Sequence, residues 1–327
     1  MPNSIKIEDV SKIAGNIRES VQKVIVGKDE AINLGLLALF CGGHILMEDV
    51  PGIGKTTMAK ALAQSLGCSF KRIQCTSDLL PSDITGTYIF DQRDSKFNFR
   101  SGPVMANLVL VDEINRASPR TQSAFLEAME ERQVTVDGVT HPLPDPFQLL
   151  ATRNPLHHGG TFPLPETELD RFLLRVQLNY PTAEEEITMV ERQLPAHPID
   201  QLKSIVSLEE IAKAQDRVRK IYVDRLITDY VVSLVNATRN SALIYMGASP
   251  RATISLAQLA QAHALMEKRD YTTPDDVKSV ASAVLTHRIT LIPGSESMVS
   301  PEDVIEDIIN AVPIESGSVL PVTDTGA

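Results

Sequence analysis

The chain has 327 residues, 43% of them apolar, which is enough for two packed domains with real cores. Its formal charge of −11 and pI near 5.2 argue against duplex DNA or an anionic membrane as the main partner, because both are held by basic surface; only a local basic pore stays compatible. Its three cysteines, Cys41, Cys68 and Cys75, are odd in number and lack C-x-x-C spacing, so neither a disulfide framework nor a zinc site is indicated and a reducing cytoplasm is the expected compartment.

The first residues, MPNSIKIEDVSK, hold no signal-peptide apolar core, and the longest apolar stretch, Ala31 to Met47, is interrupted by Asn33, Gly42, Gly43 and His44, so no membrane span is expected. Val10, Ile13, Ile17, Val21 and Val24 recur at spacings of three and four, which predicts an amphipathic helix. Asp29 is read as the N-cap of a second helix over AINLGLLALF.

The chain is organised around His44 to Lys60, HILMEDVPGIGKTTMAK, which reads as strand, loop and helix. Such a loop wraps backbone N–H groups around the phosphates of a nucleotide, at the positive end of the helix that follows. Its candidate residues are Val50, Pro51, Gly52, Ile53, Gly54, Lys55, Thr56 and Thr57. Lys55 is expected to reach the β- and γ-phosphates, and the Thr56 hydroxyl to join the Mg²⁺ shell. Asp49 stands where the strict pattern has glycine; Asp tolerates unusual backbone angles in turns.

A second strand is predicted from Phe70 to Cys75. Beyond it, residues 76–103 carry an Asp/Ser/Pro/Gly cluster and two short strand-like runs, Thr87 to Phe90 and Phe97 to Arg100, which suggests a projecting hairpin; a purely structural hairpin is as compatible with the residues alone. In ANLVLVDEINRA, an apolar run ends in Asp112 and Glu113. Two carboxylates are thereby expected at the carboxyl end of a buried parallel strand, with Asp112 holding Mg²⁺ through water and Glu113 polarising an attacking water. Ser118 and Pro119 open a helix, and QVTVDGVTH alternates about Asp137-Gly138, a hairpin signal over about residues 132–142. PFQLLATRNP is a further buried strand ending in Asn154, whose amide is a candidate for orienting the lytic water. His157 and His158 lack a third ligand at helical spacing and read as loop residues. After Asn179-Tyr180-Pro181-Thr182 the pattern turns helical. Ser249 and Pro250 place Arg251 in a first helical turn, where a cation opposes the macrodipole.

EDVPGIGKT, DEINRASPRTQSAFLEAMEERQVTVDG, ATRNP and GGTFPLPETELDRF follow one another as in the MoxR family of AAA+ ATPases, which the chain resembles from about Val24 to near Ile292. Arg153 stands where the family usually has Gln. The resemblance implies an oligomeric ring, hexameric as a rule, that uses ATP hydrolysis to remodel or mature client proteins, often with a von Willebrand factor A-type partner. It implies a helix-two insert at 76–103 and a pre-sensor hairpin at 132–142. It places Val26 and Gly27 against the adenine, assigns Arg171 in LDRF as an arginine finger for a neighbour's γ-phosphate, and gives Arg251 a γ-phosphate contact in cis. From the residues alone, Arg171 reads as a helix-terminal arginine paired with Glu166, Glu168 or Asp170.

The expected fold is an α/β P-loop core with a parallel sheet flanked by helices over residues 1–180, then an all-helical lid over 184–312 and a disordered tail over 313–327. The expected reaction is attack of water on the γ-phosphate of Mg·ATP, with Lys55, Mg²⁺, Arg171 and Arg251 sharing the transferring charge. Two alternatives remain open: an ATP-gated regulatory or binding module, against which Glu113 speaks, and a DNA-associated AAA+ ATPase, against which the acidic balance and the want of a recognisable DNA-binding motif speak.

Overall fold

The three-and-four spacing of Val10, Ile13, Ile17 and Val21 becomes helix α1 (Ile7–Gln22), with that stripe buried. The computed structural model describes residues 5–50, 52–93, 95–154, 161–194, 197–294 and 299–314. Helix α2 (Asp29–Cys41) is apolar on almost every side and correspondingly buried. It differs from the sequence reading at its start: Lys28 occupies the cap position, and Asp29, the first helical residue, accepts from Gln22 Nε2 at 2.7 Å instead of capping. Strand β1 (Ile45–Glu48) leads into helix α3 (Lys55–Leu66), and β2 (Phe70–Gln74) into the short helix α4 (Pro81–Thr85). A hairpin of β3 (Gly86–Asp91) and β4 (Lys96–Ser101) then precedes β5 (Leu108–Asp112).

Ser118 caps α5 (Pro119–Glu131), accepting from Thr121 N, with Pro119 as its first residue. A second hairpin, β6 (Gln133–Val136) and β7 (Val139–Pro142), turns at Asp137 and Gly138, whose φ angles of 50° and 79° are the paired left-handed values a tight hairpin of matching twist requires. Next come β8 (Gln148–Arg153), the single turn α6 (Glu166–Leu169) and β9 (Leu174–Val176). The helical region contains α7 (Ala183–Gln193), α8 (Leu208–Val218), α9 (Arg225–Asn240), α10 (Pro250–Met266), α11 (Pro274–Leu285) and α12 (Pro301–Ala311), with a small antiparallel pair, β10 (Ile244–Met246) and β11 (Thr290–Leu291), between them.

Five strands form one parallel sheet in the order β2-β5-β8-β1-β9. Side chains alternate between its faces. Ile45, Met47, Leu108, Leu110 and Leu150 pack on one side with α1, α2, α3 and the lid helices, while Leu46, Val109, Val111, Leu149 and Ala151 pack on the other with α5 and Phe147. The lid helices therefore share an apolar core with the α/β part. No described helix is long and apolar enough to cross a membrane.

Within the lid, Asp276 is fully buried, yet it joins α10 to α11 through polar contacts. It accepts from Arg269 Nη1 at 2.7 Å, Arg269 Nη2 at 2.5 Å and the Thr273 N–H at 2.7 Å, and lies 2.6 Å from His263 Nδ1. Burial opposes its charge, but these donors outweigh burial and hold the carboxyl well below the usual carboxylate range. A carboxyl so depressed contributes stability above the ordinary Asp value and loses it as pH falls through the lowered one. Asp276→Ala should cost about 3 kcal/mol in urea unfolding at neutral pH, since it leaves Arg269 without its partner. The gap to the wild-type chain should close progressively below about pH 4; a gap independent of pH would contradict the assignment.

Candidate active site

All five strands of the sheet run the same way, so their carboxyl ends lie along one edge. The register aligns Gln74 with Asp112, Val111 with Ala151, and Glu48 with Arg153. The phosphate loop, Asp112, Glu113 and Asn154 therefore lie on the same edge, where ligands bind in parallel α/β sheets. Lys55, Thr56 and Thr57 begin α3 directly after Gly54. Gly52 and Gly54 have φ of 88° and 96°, values that suit glycine and turn the loop back on itself. Pro51 lies outside the described residues, as do His157, His158 and the tail from 315 onward.

One cavity of about 320 Å³ is lined by Gly52, Gly54, Lys55, Thr56 and Thr57 on the loop side, and by Asp112, Glu113, Thr152 and Asn154 on the strand side. A second, of about 400 Å³, shares Gly52, Gly54 and Thr57 with it and is walled by Val24, Ile25, Val26, Ile53, Met189 and Val190. The polar cavity suits an anion and the apolar one a flat ring system. Gly27 lies between the lining residues Val26 and Lys28 but does not itself line the second; its φ is 69°, and Glu185, which pairs with Lys28 at 3.5 Å, fills the space its side chain would take. Val50 belongs to the segment leading into the loop and lines neither cavity.

Asp112 is 7% exposed, and its buried carboxylate is partnered on both oxygens. Arg72 Nε donates to its Oδ2 at 2.6 Å, and the Thr152 hydroxyl to its Oδ1 at 3.1 Å. Glu113 takes a left-handed φ of 55°, an uncommon value for a side-chain-bearing residue. Its N–H donates to Thr152 Oγ1 at 2.8 Å, and its Oε2 accepts from Arg116 at 2.8 Å and Gln74 at 3.4 Å. Lys55 Nζ donates to the Asp49 carbonyl at 2.8 Å. Partial burial pulls the ammonium below its ordinary value, and the charges of Asp49, Asp112 and Glu113 resist that pull. Among the described residues no cluster of three or more His, Cys, Asp or Glu could cage a metal. The donor set fits Mg²⁺ nonetheless: this ion uses one or two protein oxygens plus phosphates and water, and Asp112 retains lone pairs for a bridging water.

Sequence reasoning missed Arg72, Gln74 and Thr152, which reach the two carboxylates only through the register of neighbouring strands. Arg153 is not a loose charge beside Asn154. It pairs with Glu48, which also accepts from Arg175 at 3.0 Å, and Arg175 in turn pairs with Glu302 on α12.

Arg171 and Arg251 lie elsewhere. Both pair with Glu130 near the end of α5, Arg251 Nη2 at 2.8 Å, and they line a third cavity with Gly42, Gly43 and His44, which precede β1. The phosphate loop follows β1, so this arginine pair occupies the opposite edge of the sheet, a strand length of roughly 13 Å away. The contact in cis expected for Arg251 is thus not the arrangement observed. Nor does Arg171 pair with its neighbours in sequence: Asp170 accepts from Arg288 Nε at 2.9 Å and from the Ser249 hydroxyl at 2.7 Å. Arg288 is buried, and its Nη2 also donates to the Phe172 carbonyl at 2.6 Å, so it staples the segment bearing Arg171 to the lid. Burial lowers its guanidinium to about 10, against the attraction of Asp170.

A family model described as "ATPase family associated with various cellular activities (AAA)" matches residues 44–174, and an AAA lid domain model matches residues 236–308. The chain is 40% identical to chaperone MoxR1 of Mycobacterium tuberculosis over 94% of this chain and 86% of that protein. It is 46% identical to the uncharacterized protein YeaC of Bacillus subtilis, over 94% of this chain and 96% of that one. Protein MoxR of Methylorubrum extorquens is 30% identical over 95% of this chain and 96% of its own length. The crystal structure of a protein from Cytophaga hutchinsonii superposes with a TM-score of 0.85 at 37% identity, covering 94% of this chain and 99% of that one.

The Thr152 hydroxyl serves both carboxylate residues at once, accepting from one and donating to the other, in a position 2% exposed. Thr152→Val keeps the shape but leaves the Glu113 N–H without an acceptor. It should lower stability by about 1–3 kcal/mol in urea unfolding, whereas Thr152→Ser should stay within about 1 kcal/mol of wild type. Equal stability of the Val variant would show that the hydroxyl carries no such load.

Proposed function

This chain belongs to the MoxR family of AAA ATPases, and from that premise we propose that it hydrolyses Mg·ATP in a homo-oligomeric ring, six-membered as in AAA+ rings generally, and uses the cycle to remodel client proteins. The observation that carries the chemistry is the meeting of Lys55 and Thr56 with Asp112, Glu113 and Asn154 around one cavity.

Residues 1–180 act as the ATPase core and 184–312 as its lid. Lys55 neutralises the terminal phosphates, and the backbone of Val50 to Thr57 cradles them. Thr56 and Asp112 hold Mg²⁺, which when bound supplies further charge neutralisation on the phosphate oxygens. Glu113 polarises the attacking water, and the Asn154 amide orients it. Arg116 and Arg72 now sit on Glu113 and Asp112, so both guanidiniums turn aside when the carboxylates take up these roles. The base enters the apolar cavity between Val26 with Gly27 and helix α7.

The arginine pair on the far edge supports assembly. Arg171 and Arg251 share one carboxylate, Glu130, and in this reading both act on the phosphates of an adjoining subunit. Arg251 therefore joins Arg171 in trans in this reading. The β3–β4 hairpin, taken as the helix-two insert, exposes Ile89, Phe90 and Phe97, the last at 68%, as a contact for client polypeptide. A von Willebrand factor A-type protein is the proposed partner, and the cytoplasm the proposed compartment.

Glu113→Gln should keep ATP affinity within a few-fold and abolish turnover, whereas Lys55→Ala should lose both; near wild-type hydrolysis by the Gln variant would remove the catalytic assignment. Arg171→Ala should bind ATP normally and lose roughly 10³-fold or more in turnover. Mixing experiments separate cis from trans. Arg171→Ala or Arg251→Ala, each mixed with Lys55→Ala, should regain part of the activity, since mixed rings contain interfaces where an intact loop meets an intact arginine. Mixed oligomers that regain nothing with Arg251→Ala would return that residue to its own subunit's site.

A further inference from the structure

Asp49 is the residue of the phosphate loop that phosphate binding does not explain, because a carboxylate beside phosphates repels them. Its side chain is turned elsewhere. Asp49 Oδ2 accepts from the backbone N–H of Leu178 and from that of Asn179, the latter at 3.1 Å. Its own carbonyl accepts from Lys55 Nζ at 2.8 Å, and its N–H donates to the Arg153 carbonyl at 3.3 Å. One residue thus touches the loop lysine, the end of β8, and the segment leading from β9 to α7.

That segment has the character of a hinge. Asn179 holds a left-handed φ of 53°, and α7, which follows, buries none of its own residues. Polar contacts fix the helix: a capping box of Thr182 and Glu185, the Lys28 pair with Glu185 at 3.5 Å, the Lys28 Nζ bond to the Tyr180 carbonyl at 3.2 Å, and the Arg192 bonds to the Gln22 carbonyl at 2.8 Å and the Lys23 carbonyl at 3.5 Å. Yet α7 contributes Glu186, Met189 and Val190 to the wall of the apolar cavity facing Val26 and Ile53. The position of that wall relative to the phosphate loop depends on the hinge, and the loop grips the hinge through a single side chain.

We propose that Asp49 is a positioning residue that latches α7 to the phosphate loop, setting the apolar wall at the distance from Lys55 that one nucleotide spans. The proposal rests on the nucleotide reading above and adds to it a residue whose contribution is to base binding, although it sits in the phosphate motif.

Two ligands separate the two halves of the site. Full-length Asp49→Ala should bind magnesium tripolyphosphate within about twofold of wild type and ATP about tenfold more weakly, the loss of two hydrogen bonds that order the hinge. Asp49→Asn, which keeps one acceptor oxygen, should fall between. Amide exchange at Leu178 and Asn179 should accelerate in the Ala variant while α10 and α11 keep wild-type protection. Equal weakening of both ligands would assign Asp49 to loop shape alone, and unchanged ATP affinity would remove the latch. Wild-type protein that binds neither ligand would overturn the nucleotide reading itself. Exchange at Leu178 and Asn179 would still test the latch in that event.

Discussion

Two adjacent carboxylates, Asp112 and Glu113, stand where a strand buried on both faces ends, and the phosphate-facing edge of this molecule is arranged around supplying them with donors. Burying a carboxylate is costly unless it is hydrogen-bonded. Asp112 and Glu113 receive Arg72, Arg116, Gln74 and the Thr152 hydroxyl, drawn from the two strands that flank β5 and from the turn after it. Lys55 faces the same charges from the loop. Beneath them Cys75 is buried, and burial, reinforced by the two carboxylates, pushes its thiol up to about 12. It adds packing without adding another anion. The left-handed turn at Glu113 separates the two side chains, so one can face a cation while the other faces water.

A parallel sheet offers one edge of this kind, and the opposite edge serves a different purpose. Helix α5 starts just past the carboxylates and, over 13 residues, carries Glu130 to the far end. There Glu130 gathers Arg171 from the approach to β9 and Arg251 from the lid. Buried Arg288 binds the same approach segment through Asp170 and Phe172 and donates to Ser255 of α10, so the segment bearing Arg171 is tied to the lid. Cations on one edge and the phosphate site on the other make a module whose two ends are complementary to each other. In the assembly proposed above, such ends would meet head to tail, with a ring where the rotation closes.

The local parts of this design were legible in the sequence. The loop, the Asp-Glu pair, the cap at Ser118 and the Asp137-Gly138 turn are each carried by residues within a few positions of one another, where periodicity and turn chemistry speak directly. The parts that were not legible depend on register or on distant partners. Gln74 and Thr152 reach the carboxylates because β2, β5 and β8 pair at particular offsets, which no single strand announces. Arg251 meets a carboxylate 121 residues away, a contact that no local pattern announces. Asp29 looked like a cap because its residue type favours caps, but a side chain from the preceding helix claimed it. Arg153 looked like an added charge until Glu48, across the adjacent strand, supplied its partner.

In the assembly proposed above, one subunit holds the phosphate site and another completes it with arginine. Turnover per subunit as a function of protein concentration, at saturating Mg·ATP and with oligomeric state followed by light scattering, tests it most directly. The expected rate is close to zero for dilute monomer and rises in step with the oligomer fraction. A dilute monomer that hydrolyses ATP at the full rate would contradict it, because all the necessary cations would then have to come from a single chain.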